Sequence, residues 1–509
     1  MRYSVVGRLM LLGLVIVMGS VYADNHHSKK TFLMSRPQGV NLAMEYTTWH
    51  DHVYNGKKHI CTNSCDRPCV KASAPRACAP RSCNPCGPRK INASFQATGF
   101  YQDSTNHEQI GKYFGIGNGK NSFVVGTEAQ VTAGTADILN GFLIHDNGGQ
   151  SNLAGKVSFN PHQQAAGVRF DYFQSFNTPI CGLFFKARLP LVSVERDMQL
   201  RVDDSVNSPA GFSLQDFFKG NVEETNAGSG NLQDKLTKAK IDGRRHKFGV
   251  ADIDLALGHK FVDTDTKHLF LNVGITIPTG SKVRGEFLFE PVVGNGQHFG
   301  IGGGLDAGVL LWCNENASLR FLAAAEYRYL FERTEHRTVG VKDLPLGYYY
   351  LAGELGKPAD TPLFPAANVL TQGLKVKPGS QFDSLIALSF KSSGFIVDVG
   401  YNLFWKDRED VWLKHWDDDT FIIPVTGFDT NAILDAADAF KTLNKSDLDV
   451  SAAATPSLFT HKIFAGLGYT TKVYCDYPLS FGVGGSYEFG TSNADLENYA
   501  VWAKIAVSV

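Results

Sequence analysis

The last eleven residues of the chain, 499–509, alternate strictly between two faces, and this pattern restricts the fold more than any other feature. One face is apolar throughout, from Tyr499 to Val509, whereas the other mixes Trp502 and Lys504 with small residues. Such alternation is typical of a β-strand whose two faces meet different surroundings. A strand of this length, apolar on one side and mixed on the other, is suited to cross a bilayer within a closed barrel.

Similar alternating segments recur through the chain and indicate an all-β fold. We predict strands at 39–50, 91–102, 154–160, 165–176, 180–196, 246–260, 267–280, 298–312, 317–333, 380–390, 395–408, 460–473, 478–490 and 498–509. These fourteen segments predict a transmembrane antiparallel β-barrel over residues 39–509, with twelve strands as the alternative count.

The N-terminus has the features of a secretory signal. Arg2 and Arg8 precede an apolar run at 9–19, and Val21-Tyr22-Ala23 supplies the small residues of a cleavage site. We therefore predict that 1–23 is a signal peptide, cut before Asp24, and that 24–38 forms an N-terminal segment that could act as a plug.

Composition supports this reading by exclusion. After the leader, no apolar run approaches the ~20 residues that a spanning helix requires. Because a polar backbone crosses lipid only as a helix or a closed barrel, a membrane-spanning form of this chain would be a barrel. The formal net charge of -1 indicates no particular partner, and an exported chain does not favour nucleic acid.

The connections between predicted strands differ in length on the two sides of the barrel. Five are short: 177–179, 261–266, 313–316, 391–394 and 474–477. Four on the other side are long, namely 197–245, 281–297, 334–379 and 409–459, although 161–164 and 491–497 on that side are not. Short periplasmic turns and long external loops are typical of outer-membrane barrels. The insert 103–153 is long yet falls on the periplasmic side, so we expect either an irregular plug or strands that the pattern does not separate.

Nine cysteines divide into two groups. Six lie in the proline-rich loop 51–90: Cys61, Cys65, Cys69, Cys78, Cys83 and Cys86. Export to an oxidising compartment favours disulfides over a metal site, although bonds to other molecules remain an alternative and the pairing stays open. Cys181, Cys313 and Cys475 lie in or beside predicted turns of strands that are not neighbours, and we expect most of them to remain thiols.

The mixed faces of the strands carry charges of both signs. The candidates for lining the lumen are Arg169, Asp171, Lys186, Arg188, Asp252, Asp254, Asp306, Arg320, Glu326 and Arg328, and the series continues with Glu332, Asp398, Lys406, Lys462, Glu488 and Lys504. A charge that faced lipid would cost several kcal/mol at mid-depth, so these side chains should point inward. They predict either a polar permeation path or a lattice of cross-strand ion pairs that braces the wall. In such a lattice, Arg188 should lie beside Asp252 or Asp254.

The long loops carry three further features. The first is a basic run, which could contact lipopolysaccharide phosphates or could be an ordinary solvated surface. The second is an aromatic and acidic stretch, which resembles carbohydrate or calcium sites but could also be an ordinary acidic loop. The third is an apolar cluster, which could enter the barrel mouth or could pack the core of its own loop. Their residues are Lys235, Lys238, Lys240, Arg244, Arg245 and Lys247; Trp412, Trp416, Asp417, Asp418 and Asp419; and Phe212, Phe217 and Phe218. The chain contains no G-x-S-x-G, H-E-x-x-H or Walker A motif, so it predicts no catalytic residue, no metal and no cofactor.

The overall pattern resembles Gram-negative outer-membrane barrels of the porin and long-chain fatty-acid transporter type. The resemblance implies an outer-membrane location, contact with lipid and possible contact with lipopolysaccharide, and a non-catalytic channel or transporter for small solutes. It departs from that class in ending on Val509 rather than on an aromatic residue. The alternative is a structural or surface-interaction envelope protein with a disulfide-stabilised exposed loop.

Overall fold

The computed structural model describes residues 27–39, 41–46, 93–144, 154–176, 182–204, 213–226, 230–357, 361–424, 440–473 and 477–509. The predicted signal peptide 1–23, the six cysteines of loop 51–90 and Phe212 lie outside these residues. Within the described part of the chain, no helix is both long and apolar enough to cross a membrane.

Twelve antiparallel strands form a closed barrel. They are β1 (Ala93–Ser104), β2 (His162–Phe176), β3 (Leu183–Asp197), β4 (Ile253–Asp263), β5 (Lys267–Ile277), β6 (Gly300–Cys313), β7 (Ala317–Leu330), β8 (Gly379–Ser392), β9 (Phe395–Lys406), β10 (Leu458–Val473), β11 (Tyr477–Gly490) and β12 (Asn498–Ser508). Each strand pairs with the next in the chain, and β1 pairs with both β2 and β12, which closes the ring. The predicted all-β barrel is confirmed with twelve strands, whereas the count of fourteen is wrong.

Two of the fourteen predicted strands are not part of the barrel. Residues Leu42–Tyr46 of the segment 39–50 form the short helix α1, with every side chain buried. The prediction of a strand here relied on apolar residues at every second position. That pattern did not mark a buried face and an exposed face, because α1 is enclosed on all sides. The segment 154–160 contains the strand Gly155–Ser158, which pairs outside the barrel with Ser122–Gly126.

The predicted strand 246–260 is divided in two. Arg245–Val250 and β4 both pair with β3, and residues 251–252 between them belong to neither strand. Pro190 of β3 lies opposite this break, where Ala251 N donates to its carbonyl at 2.9 Å. Proline has no N–H to give to a ladder, so a break in the partner strand accommodates it. The strand Arg245–Val250 is thus a thirteenth strand outside the closed ring.

Alternate residues of the barrel strands face inward and outward. Outward residues are apolar and exposed, such as Val273 (70%), Phe395 (64%) and Leu467 (59%), whereas inward residues such as Arg169 and Lys462 are buried. This alternation produces an exposed apolar outer wall and a polar interior.

The two ends of the barrel differ strongly. Short connections lie at the end where β12 finishes, which we call the turn end. At the opposite end, the described residues of the connections 105–161, 198–252, 278–299, 331–378, 407–457 and 491–497 form a structure that we call the cap. The predicted asymmetry of the connections is confirmed. The insert 103–153 is the exception: Ser104 pairs with Asn498, so the insert leaves from the cap end and not from the turn end. Its side was assigned wrongly because 154–160 was counted as a barrel strand.

The cap has its own secondary structure. Its helices are α2 (His107–Phe114), α3 (Glu128–Thr132), α4 (Leu214–Lys219) and α5 (Ala367–Leu370). Its strands are Ser122–Gly126, Ile138–Leu139, Gly155–Ser158, Arg201–Asp204, Glu224–Asn226, Gly230–Gln233, Arg333–Thr338, Gly340–Val341, Leu351–Glu354, Phe364–Pro365, Thr371–Lys377, Asp410–Leu413, Phe421–Pro424, Phe440–Thr442 and Leu448–Asp449.

A large apolar core holds the cap together. Phe217 and Phe218 of α4 are buried in it, and both rings contact Tyr349. Ser213 caps α4 by accepting from Asp216 N at 3.1 Å. These two phenylalanines therefore pack the loops against one another.

Cys313, the last residue of β6, is disulfide-bonded. We expected most of Cys181, Cys313 and Cys475 to remain thiols, and Cys313 does not. The other eight cysteines lie outside the described residues, so the pairing is not assigned. The expectation considered only distances between strands of the wall, and these do not restrict a bond at the rim.

The N-terminal residues 27–39 and 41–46, which we call the inner segment, run from the cap into the barrel. At the cap, His27 N donates to Asn493 Oδ1 at 2.8 Å and Lys29 N donates to Gly115 O at 2.8 Å. At the other end, the Tyr46 hydroxyl donates to Asp306 on the inner face of β6. The chain thus enters the barrel from the cap end and passes its midpoint.

Candidate functional site: the barrel interior

Arg188 is the centre of an ion-pair cluster inside the barrel. Its guanidinium contacts Glu45 of α1, Asp254 at 3.3 Å and Glu326 at 2.8 Å. Asp254 also pairs with Arg328 at 2.8 Å. The register places Arg188 directly opposite Asp254, as predicted for one of its two possible partners. This cluster links three strands of the wall to the inner segment.

The neighbouring strands add to this cluster. Arg169 pairs with Asp171 at 3.0 Å and donates to the carbonyl of Asn41 at 3.2 Å. Lys186 Nζ lies 3.8 Å from the carboxylate of Glu45. The side chains of β2 and β3 therefore hold the inner segment through both its backbone and its acidic side chain.

The remaining candidates lie apart from Arg188. Asp306 contacts His268 at 3.1 Å as well as Tyr46. Arg320 donates to a backbone carbonyl of the 264–266 turn at 2.8 Å. Asp252, at the break in the wall, accepts from two backbone N–H groups of the 278–299 connection, at 2.6 and 3.2 Å. Asp252 is thus not a partner of Arg188 but fixes a cap connection to the wall.

A second cluster surrounds Arg36 of the inner segment. Its guanidinium pairs with Asp383 of β8 and with Glu488 of β11 at 3.3 Å, and donates to Asn402 of β9 at 2.9 Å. The guanidinium carbon also lies 4.7 Å from the centre of the Phe404 ring. Planar cations bind well to such a combination of carboxylates and an aromatic face. The inner segment is therefore held at two levels, by Arg36 near the cap and by Glu45 below it.

Two cavities lie beside the inner segment. The smaller, of about 30 Å³, lies towards the cap and is lined in part by Arg36, Lys462 and Glu488. The larger, of about 90 Å³, is lined in part by Arg188, Asp383 and a wall of glycines on β5 and β6. Since one water needs roughly 10–15 Å³ on this measure, both can hold several waters. Pro37 and Phe404 line both cavities, so the inner segment separates them.

A buried network joins the cap to the barrel. Arg337 contacts Glu335 at 2.7 Å and Glu409 at 2.6 Å, and its guanidinium lies 3.7 Å from the Phe32 ring of the inner segment. Burial alone would raise the pKa of Glu409, but the charges of Arg337 and Lys406 outweigh burial and hold this pKa at about 2. Glu409 therefore stays ionised and anchors the cap.

The loop features show no clustered site. Within the basic run, Lys235, Arg244 and Arg245 pair with cap or strand carboxylates and are largely exposed. Trp416 is buried and donates to the carbonyl of Leu443 at 2.9 Å, while Asp417 and its neighbours lie at the surface. Over the residues that the structure describes, no group of three or more His, Cys, Asp or Glu could hold a metal ion.

Three residues of the site escaped the sequence analysis. Asp383 lies on the inner face of β8 between Gln381 and Leu385, and the alternation of this strand could have revealed it. Arg36 lies in a part of the inner segment without a periodic pattern, and Glu45 lies where alternation predicted a strand of the wall and not a helix inside the barrel.

Comparison with known proteins gives similarity in architecture only. No protein-family model matches the chain, and no curated protein matches its sequence. Similar solved structures include an outer-membrane channel from Pseudomonas putida F1, with a TM-score of 0.39 and 9% identity over 84% of this chain and all of that one. The transport unit of the autotransporter AIDA-I from Escherichia coli gives a TM-score of 0.32 and 8% identity over 83% of this chain and 91% of that one.

A mutant of TodX, a monoaromatic hydrocarbon channel, gives a TM-score of 0.31 and 10% identity over 82% of this chain and 91% of that one. These structures are outer-membrane β-barrels, and the present chain also folds as a closed β-barrel.

Proposed function

We propose that this protein is a non-catalytic outer-membrane channel for small polar solutes, and that the inner segment closes it. The observation that carries the proposal is the interior: two cavities, each lined by charged as well as apolar side chains, lie on either side of Pro37, and Pro37 and Phe404 border both of them. Movement of the segment around Arg36 and Pro37 would join them.

The outer wall supports insertion into a membrane. Apolar side chains on its outward positions are widely exposed, among them Val273, Phe395 and Leu467. Exposed apolar residues on the outward positions of most barrel strands are rare on a soluble monomer, and they mark a surface that contacts lipid or protein. With short turns at one end and the cap at the other, the barrel would place the cap outside the cell.

A structural role is the second candidate. With the 3.8 Å contact of Arg188 and Asp171 included, the ion pairs of Arg188 and Arg36 connect six strands and the inner segment, which favours a barrel that is braced rather than open. Conductance distinguishes the two functions, because only a channel should conduct ions when the inner segment is displaced.

Planar-bilayer recording on the full-length protein tests the proposal. The variant Arg36→Ser/Glu45→Gln removes both charged anchors of the inner segment and should raise single-channel conductance well above that of the wild type. The matched control is Arg284→Ala, an exposed cap residue whose nearest carboxylate lies 3.6 Å away. If the anchor variant folds as a heat-modifiable barrel and still conducts no more than the control, the channel function is wrong.

A further inference from the structure

We propose that Asp383 and Glu488, together with Asn402 and Phe404, form a binding site for the guanidinium or ammonium group of a small cationic solute. In the closed state, Arg36 of the inner segment occupies this site as an internal substitute for the solute. The inference rests on the proposed channel function and names the solute class.

The geometry around Arg36 is that of a receptor for a planar cation. One nitrogen, Nη1, donates to Asn402 Oδ1 at 2.9 Å and lies 3.3 Å from Glu488 Oε1, while Nη2 contacts Asp383. The ring of Phe404 covers the guanidinium at 4.7 Å. Paired carboxylates select for positive charge, and the aromatic face selects for a planar, weakly hydrated cation.

The charge balance leaves room for one cation. Lys462 pairs with Glu488 at 2.9 Å, and Thr460 donates to the same carboxylate at 2.6 Å. Asp383 accepts from the Asn402 amide but has Arg36 as its one direct cationic contact among the described residues. When Arg36 leaves, the carboxylates therefore exceed the lysine by one negative charge, which a monovalent solute would neutralise.

The site lies where a passing solute would meet it. Phe404 lines both interior cavities, Glu488 lines the one nearer the cap, and Asp383 lines the one below. A cation that replaced Arg36 would thus have water-sized space on both sides. Arg196, another buried arginine, differs: it donates to the carbonyls of Leu33 and Glu290 and lines neither cavity.

The test uses ethylguanidinium and its uncharged analogue ethylurea on the full-length protein in detergent. Isothermal titration of Arg36→Ala should show ethylguanidinium binding at least tenfold more tightly than ethylurea. Addition of Asp383→Asn should abolish this preference. The control Arg196→Ala also leaves a cavity but no carboxylate pair, and it should show no preference.

Bilayer recording separates this inference from the channel function. Ethylguanidinium should slow potassium current through Arg36→Ala, because it occupies the site during transit. Current without any preference for ethylguanidinium would overturn the cation site and leave the channel standing. Binding without current in any variant would overturn the channel, and with it the solute role of the site.

A wild-type measurement remains decisive if Arg36→Ala does not fold. Ethylguanidinium at tens of millimolar should compete with Arg36 and raise the open probability of the wild-type channel, whereas ethylurea should not. Equal responses to both compounds would overturn the inference.

Discussion

Replacement of Arg188 by alanine should destabilise the barrel far more than the loss of one surface ion pair. Arg188 contacts four carboxylates, those of Glu45, Asp254, Glu326 and, at 3.8 Å, Asp171, and is itself buried. Removing one partner of a buried pair costs about 3–5 kcal/mol, because the remaining charge is left uncompensated. Lys186 and Arg328 stay close to these carboxylates and should keep the loss near the lower value.

Urea unfolding in detergent, followed by loss of heat-modifiability, measures this loss. The control is again Arg284→Ala, because exposed ion pairs contribute about 0–1 kcal/mol. A charge swap gives a second check: Arg188→Glu/Asp254→Lys should recover only part of the loss from Arg188→Glu, since three of the four original carboxylates still face the new glutamate. If Arg188→Ala behaves like the control, or if the swap restores full stability, the cluster does not act as the contacts indicate.

Three further predictions concern the cap and the wall. The pKa of Glu409 is about 2 in the folded protein, so its ionised carboxylate stabilises the fold above the ordinary pKa of 4.5, and this stabilisation is lost as the pH falls. Between pH 5 and pH 3, the free energy of unfolding of the wild type should therefore fall by about 2 kcal/mol more than that of Glu409→Gln, as measured by urea titration. Burial raises the pKa of Asp495 to about 6, so this residue should make the protein more stable as the pH falls from 6 to 4, and Asp495→Asn should remove that gain, measured in the same way. Gly308→Ala should cost about 1–3 kcal/mol, because its Cβ would lie 2.2 Å from the His268 ring, whereas Gly99→Ala on the same wall meets nothing within 4 Å and should be nearly neutral in unfolding midpoint.

The sequence predicted the wall of the barrel well, because alternation reports directly on two different environments. The strands 395–408 and 460–473, for example, lie within a few residues of β9 and β10. The same signal failed for 39–50, where α1 is enclosed on all sides, and for 154–160, where the strand pairs within the cap. Each error has a physical cause: alternation shows that a strand has two faces but not which sheet it joins.

The interior was predicted in its residue types but not in its arrangement. Inward charges of both signs were expected, and the contact of Arg188 with Asp254 followed from neighbouring strands. The contacts of Arg36 and Glu45 could not be predicted, because they join residues far apart in the chain and because alternation assigned 39–50 to the wall and not to the lumen. Only a folded structure shows that the two ion clusters hold the same peptide.

The path of the inner segment bears on the order in which the molecule forms. β1 and β12, the first and last strands of the ring, pair along eleven residues from Ser94–Ser508 to Ser104–Asn498. The inner segment lies inside this ring, with His27 at the cap and Tyr46 at the inner face of β6. If the sheet wraps around the segment before the final strand docks, the segment does not have to pass through a lumen filled with charged side chains. In that order of assembly, the N-terminal peptide acts as a template for the wall.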